Sequence, residues 1–174
     1  MESYRIRKEF APYFRSFIFG VEDSLVSTVG LLSGIAIAGV PRTTIFVTGV
    51  VLIFVEAFSM AAGSFLSEYS AEEYESQKVA AIRLPLIAGV VMFVSYFFSG
   101  FIPLFPYVLW DIPDAFKISI GLSLIALFLL GVLGAFLSGR SLLKRGLRML
   151  IIAGIAVLIG IMAGQIAPSL GLLV

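Results

Sequence analysis

Long apolar runs separated by short polar segments account for most of the chain. Four uncharged runs reach the roughly 18 residues that mark a membrane-spanning helix, and they cover 24–41, 84–110, 118–139 and 149–174. A fifth run, over 43–67, carries Glu56 as its single charge. Because backbone groups in hydrocarbon must pair within their own segment, runs of this length predict helices. The pattern therefore predicts an all-α membrane protein with five transmembrane helices, forming one domain over residues 16–174.

Prolines and helix-forming residues set the expected boundaries. The first helix is predicted over residues 16–40, and the second begins near Thr43. The segment 67–83 contains helix formers and neither Gly nor Pro, so it predicts an extension of the second helix beyond the membrane. Pro103 and Pro106 interrupt the third span near its end. Helices three to five carry no charge in their apolar runs and are predicted to act as scaffold.

Basic residues are distributed unevenly between the two ends of the predicted bundle. Most of the twelve fall at the end that holds the N-terminus, namely Arg5, Arg7, Lys8, Arg15, Lys78, Arg83, Arg140, Lys144, Arg145 and Arg148. Only Arg42 and Lys117 fall at the opposite end. Since cytoplasmic segments are enriched in Lys and Arg, residues 1–15 are predicted to be a basic cytoplasmic lead. The N-terminus is then cytoplasmic, 67–83 extends into the cytoplasm, and the C-terminus is external.

Composition narrows the chemistry that the chain can perform. The sequence is 60% hydrophobic and contains neither Cys nor His, which excludes thiolate and imidazole metal sites and leaves oxygen and thioether ligands. The scattered basic residues form no stripe that would bind nucleic acid. With no nucleophile–base arrangement and no cofactor motif, we expect neither an enzyme nor a permanent cofactor.

Three carboxylates, Glu22, Asp23 and Glu56, lie within the predicted spans. A charge at mid-membrane costs roughly 2.5–3.5 kcal/mol, so it indicates a cation, a proton or a partner. At about 1.5 Å of rise per residue, Asp23 and Glu56 fall at one depth, with Met60 slightly nearer the cytoplasm. Neighbouring helical residues point about 100° apart, so we expect Asp23 to face this site and Glu22 to face away. Glu56 has no basic residue at its depth, which suits exchange of a metal ion for protons.

Polar and small residues follow these carboxylates along two facing stripes. The predicted ion path combines Asp23, Ser27, Gly30 and Gly34 on the first helix with Glu56, Met60, Gly63 and Ser67 on the second. Gly30, Gly34 and Ala38 also form a small-residue ridge, which suits either close packing of another helix or a dimer seam.

Beyond the second span lie Glu68, Glu72, Glu73 and Glu75. Glu68, Glu72 and Glu75 share one helical face, where like charges repel unless a cation is present. The pattern fits either a solvated face or a cation-binding one.

Two short segments carry a family resemblance. Residues 23–30, Asp-Ser-Leu-Val-Ser-Thr-Val-Gly, resemble the Asp-Gly-Leu-Val-Thr-Thr signature of the vacuolar iron transporter family. Residues 59–67 are similar to that family's Ser-Met-Ala-Ala-Gly-Glu-Tyr-Leu-Ser signature. The resemblance implies a five-helix homodimer with its path between the first and second helices of the two subunits. It also implies export of ferrous iron, and often manganese, from the cytosol in exchange for protons.

The resemblance also implies roles for particular residues. Asp23 and Met60 take the intramembrane metal-binding positions, and the glutamates beyond the second span gather metal at the cytoplasmic side. The chain departs from the signatures at Ser24, where the family has Gly, and at Ser64, where it has Glu. Plant-type members carry an acid two turns before the Met, whereas here Glu56 lies one turn before it.

The sequence thus predicts a divalent-metal transporter that exchanges ferrous iron or manganese for protons. The predicted metal-binding residues are Asp23, Glu56, Met60, Glu68, Glu72, Glu73 and Glu75. Carboxylate and thioether ligands suit Fe²⁺ or Mn²⁺ better than Mg²⁺. The expected partners are the metal ion, membrane lipid and a second copy of the chain. The alternative is a non-transporting metal-responsive regulator or assembly partner that uses the glutamate face. The compact length favours a prokaryotic cell membrane over a vacuolar or other organelle membrane.

Overall fold

The computed structural model describes the backbone of residues 2–77 and 79–169, and the side chains of 10–77 and 79–166. These residues form helices and no strands, and the helices are α1 (Glu2–Ile37), α2 (Arg42–Ser76), α3 (Arg83–Leu104), α4 (Pro106–Leu109), α5 (Ile112–Leu137) and α6 (Leu142–Ser169). Within this part of the chain, every helix except α4 is long and apolar enough to cross a membrane. The prediction of an all-α protein with five spanning helices is therefore confirmed. The predicted orientation also uses the charges of Lys78, Arg5, Arg7 and Lys8. The side chains of these four residues lie outside the described part of the structure.

The first span and the basic segment before it form one helix. α1 begins at Glu2 rather than near residue 16, and it ends at Ile37 rather than at residue 40. Gly39 then adopts a φ of +77°, a left-handed conformation that glycine reaches without strain. This turn reverses the chain into α2, so α1 and α2 run antiparallel.

The second helix ends earlier than the sequence pattern predicts. Gln77 adopts a φ of +53° and its backbone N–H donates to the Glu73 carbonyl oxygen at 2.9 Å. Its side-chain amide donates to the Tyr74 carbonyl oxygen at 2.8 Å, which satisfies a second acceptor at the end of the helix. The prediction of a continuous helix over 67–83 is therefore wrong, because a non-glycine residue supplies the left-handed cap.

α1 is the central helix of the bundle, and it packs against α3, α6, α5 and α2. Two apolar clusters hold it in place. One lies towards the α1–α2 turn and contains Leu32, Ile45, Ile53, Leu104 and Tyr107. The other joins Leu25 of α1 to Leu127, Leu130 and Ala153 of α5 and α6. We call the end of the bundle that holds the C-terminal part of α2 the Glu68 end.

The predicted small-residue ridge of α1 packs against α6. A Cβ atom placed on Gly160 would lie 2.0 Å from the carbonyl oxygen of Gly30, and one on Gly164 would lie 2.0 Å from that of Gly34. Only glycine permits backbones to approach this closely. Close packing of another helix is therefore confirmed, and the neighbour is α6 of the same chain. Since α6 occupies this side of α1, the expectation that Gly30 and Gly34 line a path with α2 is wrong.

Large apolar side chains cover the outside of the bundle. On α2 alone the exposed ones include Phe46, Val47, Val51, Phe54, Val55 and Phe58. Soluble proteins rarely expose apolar surface on this scale. The arrangement fits a protein whose outer surface contacts lipid.

Candidate functional site

A cavity of about 810 Å³ lies among the helices at the Glu68 end. Its polar and sulfur-containing lining comes mainly from α1 and α2, with single residues from α3, α6 and the turn between α5 and α6. These residues are Arg15, Ser16, Glu22, Met60, Ser64, Ser67, Glu68, Met92, Ser138 and Arg145. Charged side chains that line a cavity inside an apolar bundle make this cavity a candidate ion site.

The α2 side of the cavity matches much of the predicted stripe. Met60, Gly63 and Ser67 line it, together with Ser64 and Glu68. These residues share a helical face because they are spaced three or four apart. The thioether therefore lies in the same cavity as the carboxylate of Glu68.

The α1 side of the cavity differs from the prediction. Glu22, and not Asp23, lines the cavity that contains Met60. The two neighbours point in different directions, as expected, and the rotation of α1 turns Glu22 towards the cavity and Asp23 towards Glu56. The rotation follows from packing, because residues such as Leu25 must face α5 and α6.

Asp23 instead faces α2 at the level of Glu56. The two carboxylates are close enough to interact electrostatically, and both side chains are half-buried. Antiparallel helices of known rise thus bring these residues to one depth, as the sequence analysis predicts. We refer to Asp23 and Glu56 as the carboxylate pair.

Tyr96 of α3 completes this region, although α3 is predicted to be scaffold. Its side chain is fully buried, and its hydroxyl shares a hydrogen bond of 2.8 Å with the Ser27 hydroxyl. It interacts electrostatically with both members of the carboxylate pair. The Ser24 hydroxyl also donates to the Tyr96 carbonyl oxygen at 2.7 Å, which ties α1 to α3. The sequence signal for this contact is a tyrosine in the middle of an apolar run, because a buried hydroxyl requires a polar partner.

Two contacts connect α1 and α2 around the cavity. Arg15 forms an ion pair with Glu68, whose side chain is 18% exposed. The hydroxyls of Ser16 and Ser64 share a hydrogen bond of 3.2 Å, one turn deeper along α2. Ser64, the residue at the signature's Glu position, therefore links two helices here.

The other predicted glutamates have separate surroundings. Glu72 accepts a hydrogen bond from the Ala81 backbone N–H at 3.3 Å, and Glu73 is hydrogen-bonded to Tyr69. Glu75 is exposed to solvent. Across the described residues, no three acidic side chains lie close enough together to hold a metal ion. The glutamates do not converge on a single centre within one chain.

The fold and this site define a class of protein. The spanning helices surround a cavity that contains a thioether, and a pair of carboxylates lies beside it, so the chain is a polytopic helical membrane protein with acidic side chains inside its spans. The family model described as the VIT family matches residues 14–84 and 76–165. The chain therefore belongs to the VIT family, and the family indicated by the two signatures is confirmed.

Plant relatives cover most of the chain. Vacuolar iron transporter homolog 4 of Arabidopsis thaliana is 27% identical over 155 residues, which represent 81% of this chain and 77% of the relative. Vacuolar iron transporter homolog 1 of Oryza sativa subsp. japonica is 26% identical over 162 residues, 81% of this chain and 68% of the relative. The similarity extends well beyond the two signatures.

Proposed function

We propose that the protein transports divalent metal ions, ferrous iron or manganese, out of the cytosol in exchange for protons. The observation that carries the proposal is the arrangement of Glu68, Met60 and Glu56 along α2, with Asp23 of α1 beside Glu56. Membership of the VIT family and the names of the plant relatives support a metal as the substrate.

The metal passes these groups in order. At about 1.5 Å of rise per residue, Met60 lies roughly 12 Å beyond Glu68, and Glu56 roughly 6 Å beyond Met60. The interval between Glu68 and Met60 contains Ser64 and Ser67, which also line the cavity. Borderline cations such as Fe²⁺ and Mn²⁺ accept both oxygen and sulfur ligands, whereas Mg²⁺ prefers oxygen and water.

Coupling to protons arises at the carboxylate pair. Among the residues whose side chains are described, no basic side chain forms an ion pair with Asp23 or Glu56. Two carboxylates beside each other in a membrane need either a divalent cation or protons to balance their charge. Release of the metal therefore leads to uptake of protons at the same site.

The Glu68 end faces the cytosol in this proposal. The basic residues that support this orientation include Arg15, Arg83, Arg140 and Arg145, all at that end. The glutamates Glu68, Glu72, Glu73 and Glu75 then attract metal from the cytosol. Two copies of the chain associate in the membrane as a homodimer, and lipid covers the remaining apolar surface. The relatives are plant proteins named for the vacuole, so they do not support a preference for a prokaryotic cell membrane.

Flux measurements in proteoliposomes with an imposed pH gradient test the proposal. Purified protein is expected to carry Fe²⁺ and Mn²⁺ down the coupled gradient, with Co²⁺ and Zn²⁺ as comparisons. Met60→Ala should reduce the flux strongly, whereas Met162→Ala, at a lipid-exposed position on α6, should leave it unchanged. Metal binding without flux would contradict transport and favour the regulator or assembly partner.

A further inference from the structure

Arg42 lies at the end of the bundle opposite the Glu68 end, where α2 begins and where α4 follows α3. Its guanidinium donates from Nε to the Tyr107 carbonyl oxygen at 2.6 Å, and from Nη2 to the Val108 carbonyl oxygen. Because α4 is a single turn, its last carbonyl groups lack a partner within the helix. Arg42 supplies that partner, so backbone atoms of α4 fix the position of the guanidinium.

The positive charge of Arg42 remains available to an anion. A guanidinium carries five N–H groups, and the bonds of Arg42 to described residues use two of them. The acidic residues at this end are Asp111 and Asp114, and both are exposed. Within the described side chains, neither forms an ion pair with Arg42.

An open groove of about 430 Å³ lies beside this guanidinium. It is lined by Arg42, Thr43, Phe46, Val47, Tyr107 and Val108. The guanidinium and the exposed residue Thr43 lie at the start of α2, whereas the exposed side chains of Phe46 and Val47 lie one turn further along, roughly 5 Å away. The groove is therefore cationic at one end and apolar beyond it.

The cationic end of the groove lies at the depth of lipid headgroups. α3 has 22 residues, so its length of roughly 33 Å matches a hydrocarbon core of about 30 Å. Leu104, the last residue of α3, packs in one cluster with Ile45 of α2. Arg42 precedes Ile45 and so lies outside the hydrocarbon, whereas the residues after Ile45 lie inside it.

We propose that this groove binds an anionic phospholipid, with the phosphate at Arg42 and Thr43 and an acyl chain along Phe46 and Val47. Guanidinium and phosphate groups form strong charge-assisted hydrogen bonds, and the Thr43 hydroxyl donates another. The order of polar and apolar groups along α2 matches the order from headgroup to acyl chain in a lipid. A headgroup without its own cation is preferred, because nothing in it repels Arg42. This site is independent of the transport function proposed above.

Trp110 provides a local probe of lipid at the groove. It is the single tryptophan of the chain, it follows Val108 by two residues, and its side chain is 41% exposed. The full-length protein is reconstituted into phosphatidylcholine vesicles that contain brominated phosphatidylglycerol or brominated phosphatidylcholine at equal mole fraction, since bromine quenches tryptophan fluorescence at short range. Phosphatidylglycerol should be favoured at the site by about fivefold. Equal quenching by the two lipids in the unchanged protein would overturn the proposal.

Matched variants separate the groove from the general charge of this end. Arg42→Gln should abolish the preference for phosphatidylglycerol. Thr43→Val leaves the bonds between Arg42 and α4 in place and should weaken the preference, which tests the groove even where Arg42→Gln fails to fold. Lys117→Gln removes the other positive charge of this end from an exposed position outside the groove, so it should keep the full preference.

Two further results would contradict the lipid site. Equal loss of the preference in Lys117→Gln and Arg42→Gln would show that the charge of the whole end attracts the lipid. Loss of the preference when inorganic phosphate is added, at constant ionic strength, would identify a site for a free anion. A preference that survives added phosphate and depends on Arg42 would support the phospholipid.

Discussion

The contact between α1 and α6 predicts a large difference between two glycine-to-alanine substitutions on the same helix. Gly160→Ala places a methyl group 2.0 Å from the Gly30 carbonyl oxygen, a distance that real Cβ atoms do not adopt. Gly154→Ala places the same methyl group on α6 with no other atom within 4 Å of it. Both substitutions change helix propensity equally, so the difference in stability between the two variants reports the packing of α1 against α6.

The size of this difference follows from the overlap. To reach even 3.0 Å, the backbones of α1 and α6 must separate by about 1 Å, and the obstacle is backbone that cannot rotate away. Overpacking of this kind costs about 1–3 kcal/mol or more. Alanine in place of glycine in a helix contributes up to about 1 kcal/mol in the opposite direction, and this gain is the same in both variants, so it cancels from their difference. We therefore expect Gly160→Ala to be less stable than Gly154→Ala by about 1–3 kcal/mol.

Thermal unfolding of the purified variants in one detergent measures this difference. At roughly 2–4 °C per kcal/mol for a chain of this size, the Tm of Gly160→Ala should be about 2–12 °C lower than that of Gly154→Ala. Gly164→Ala, which meets the Gly34 carbonyl oxygen at the same 2.0 Å, should behave like Gly160→Ala. Equal Tm values for Gly154→Ala and Gly160→Ala would refute the α1–α6 contact.

Three further substitutions test separate parts of the site and fold. Tyr96→Phe should lower metal flux several-fold, because the carboxylate pair loses a neighbouring hydroxyl. Tyr107→Phe, the same change at another buried tyrosine, should leave the flux unchanged. Equal flux through the Tyr96→Phe and Tyr107→Phe variants would argue against a role for the Tyr96 hydroxyl. Glu68→Gln should raise the KM for metal, because Glu68 lines the cavity. Gln77→Gly, at the end of the same helix, is the control for this KM, and an identical rise in it would show that the effect of Glu68→Gln is not local. Gln77→Gly should stabilise the protein by about 1 kcal/mol, because glycine adopts a positive φ without strain, and a lower Tm would show that the amide bond to Tyr74 matters more.

The sequence predicts those features of the fold that depend on local composition and helical rise. Apolar runs of sufficient length identify the five spanning helices, because hydrocarbon leaves the backbone no other arrangement. Rise alone brings Asp23 level with Glu56 on an antiparallel neighbour. Neither inference requires knowledge of how the helices are rotated.

The rotation of α1 about its axis and the identity of the helix that packs against its ridge could not be predicted in the same way. Whether Glu22 or Asp23 faces Met60 depends on the packing of α1 against three other helices, which no single helix encodes. The ridge that contains Gly30 signals a close neighbour, but it does not distinguish α6 from α2 or from a second subunit. The sequence does not single out Tyr96, because its proximity to the carboxylate pair arises only from tertiary contact.

Simultaneous measurement of metal and proton movement through Glu56→Gln tests whether the carboxylate pair couples metal transport to protons. In proteoliposomes loaded with a pH-sensitive dye, Mn²⁺ flux through the unchanged protein should move protons in the opposite direction. Asp114→Asn, at an exposed position of the opposite end of the bundle, should behave identically. In Glu56→Gln, which keeps the side-chain size and removes its charge, proton movement coupled to Mn²⁺ should disappear. Unaltered coupling of protons to Mn²⁺ in Glu56→Gln would contradict the assignment of exchange to the carboxylate pair.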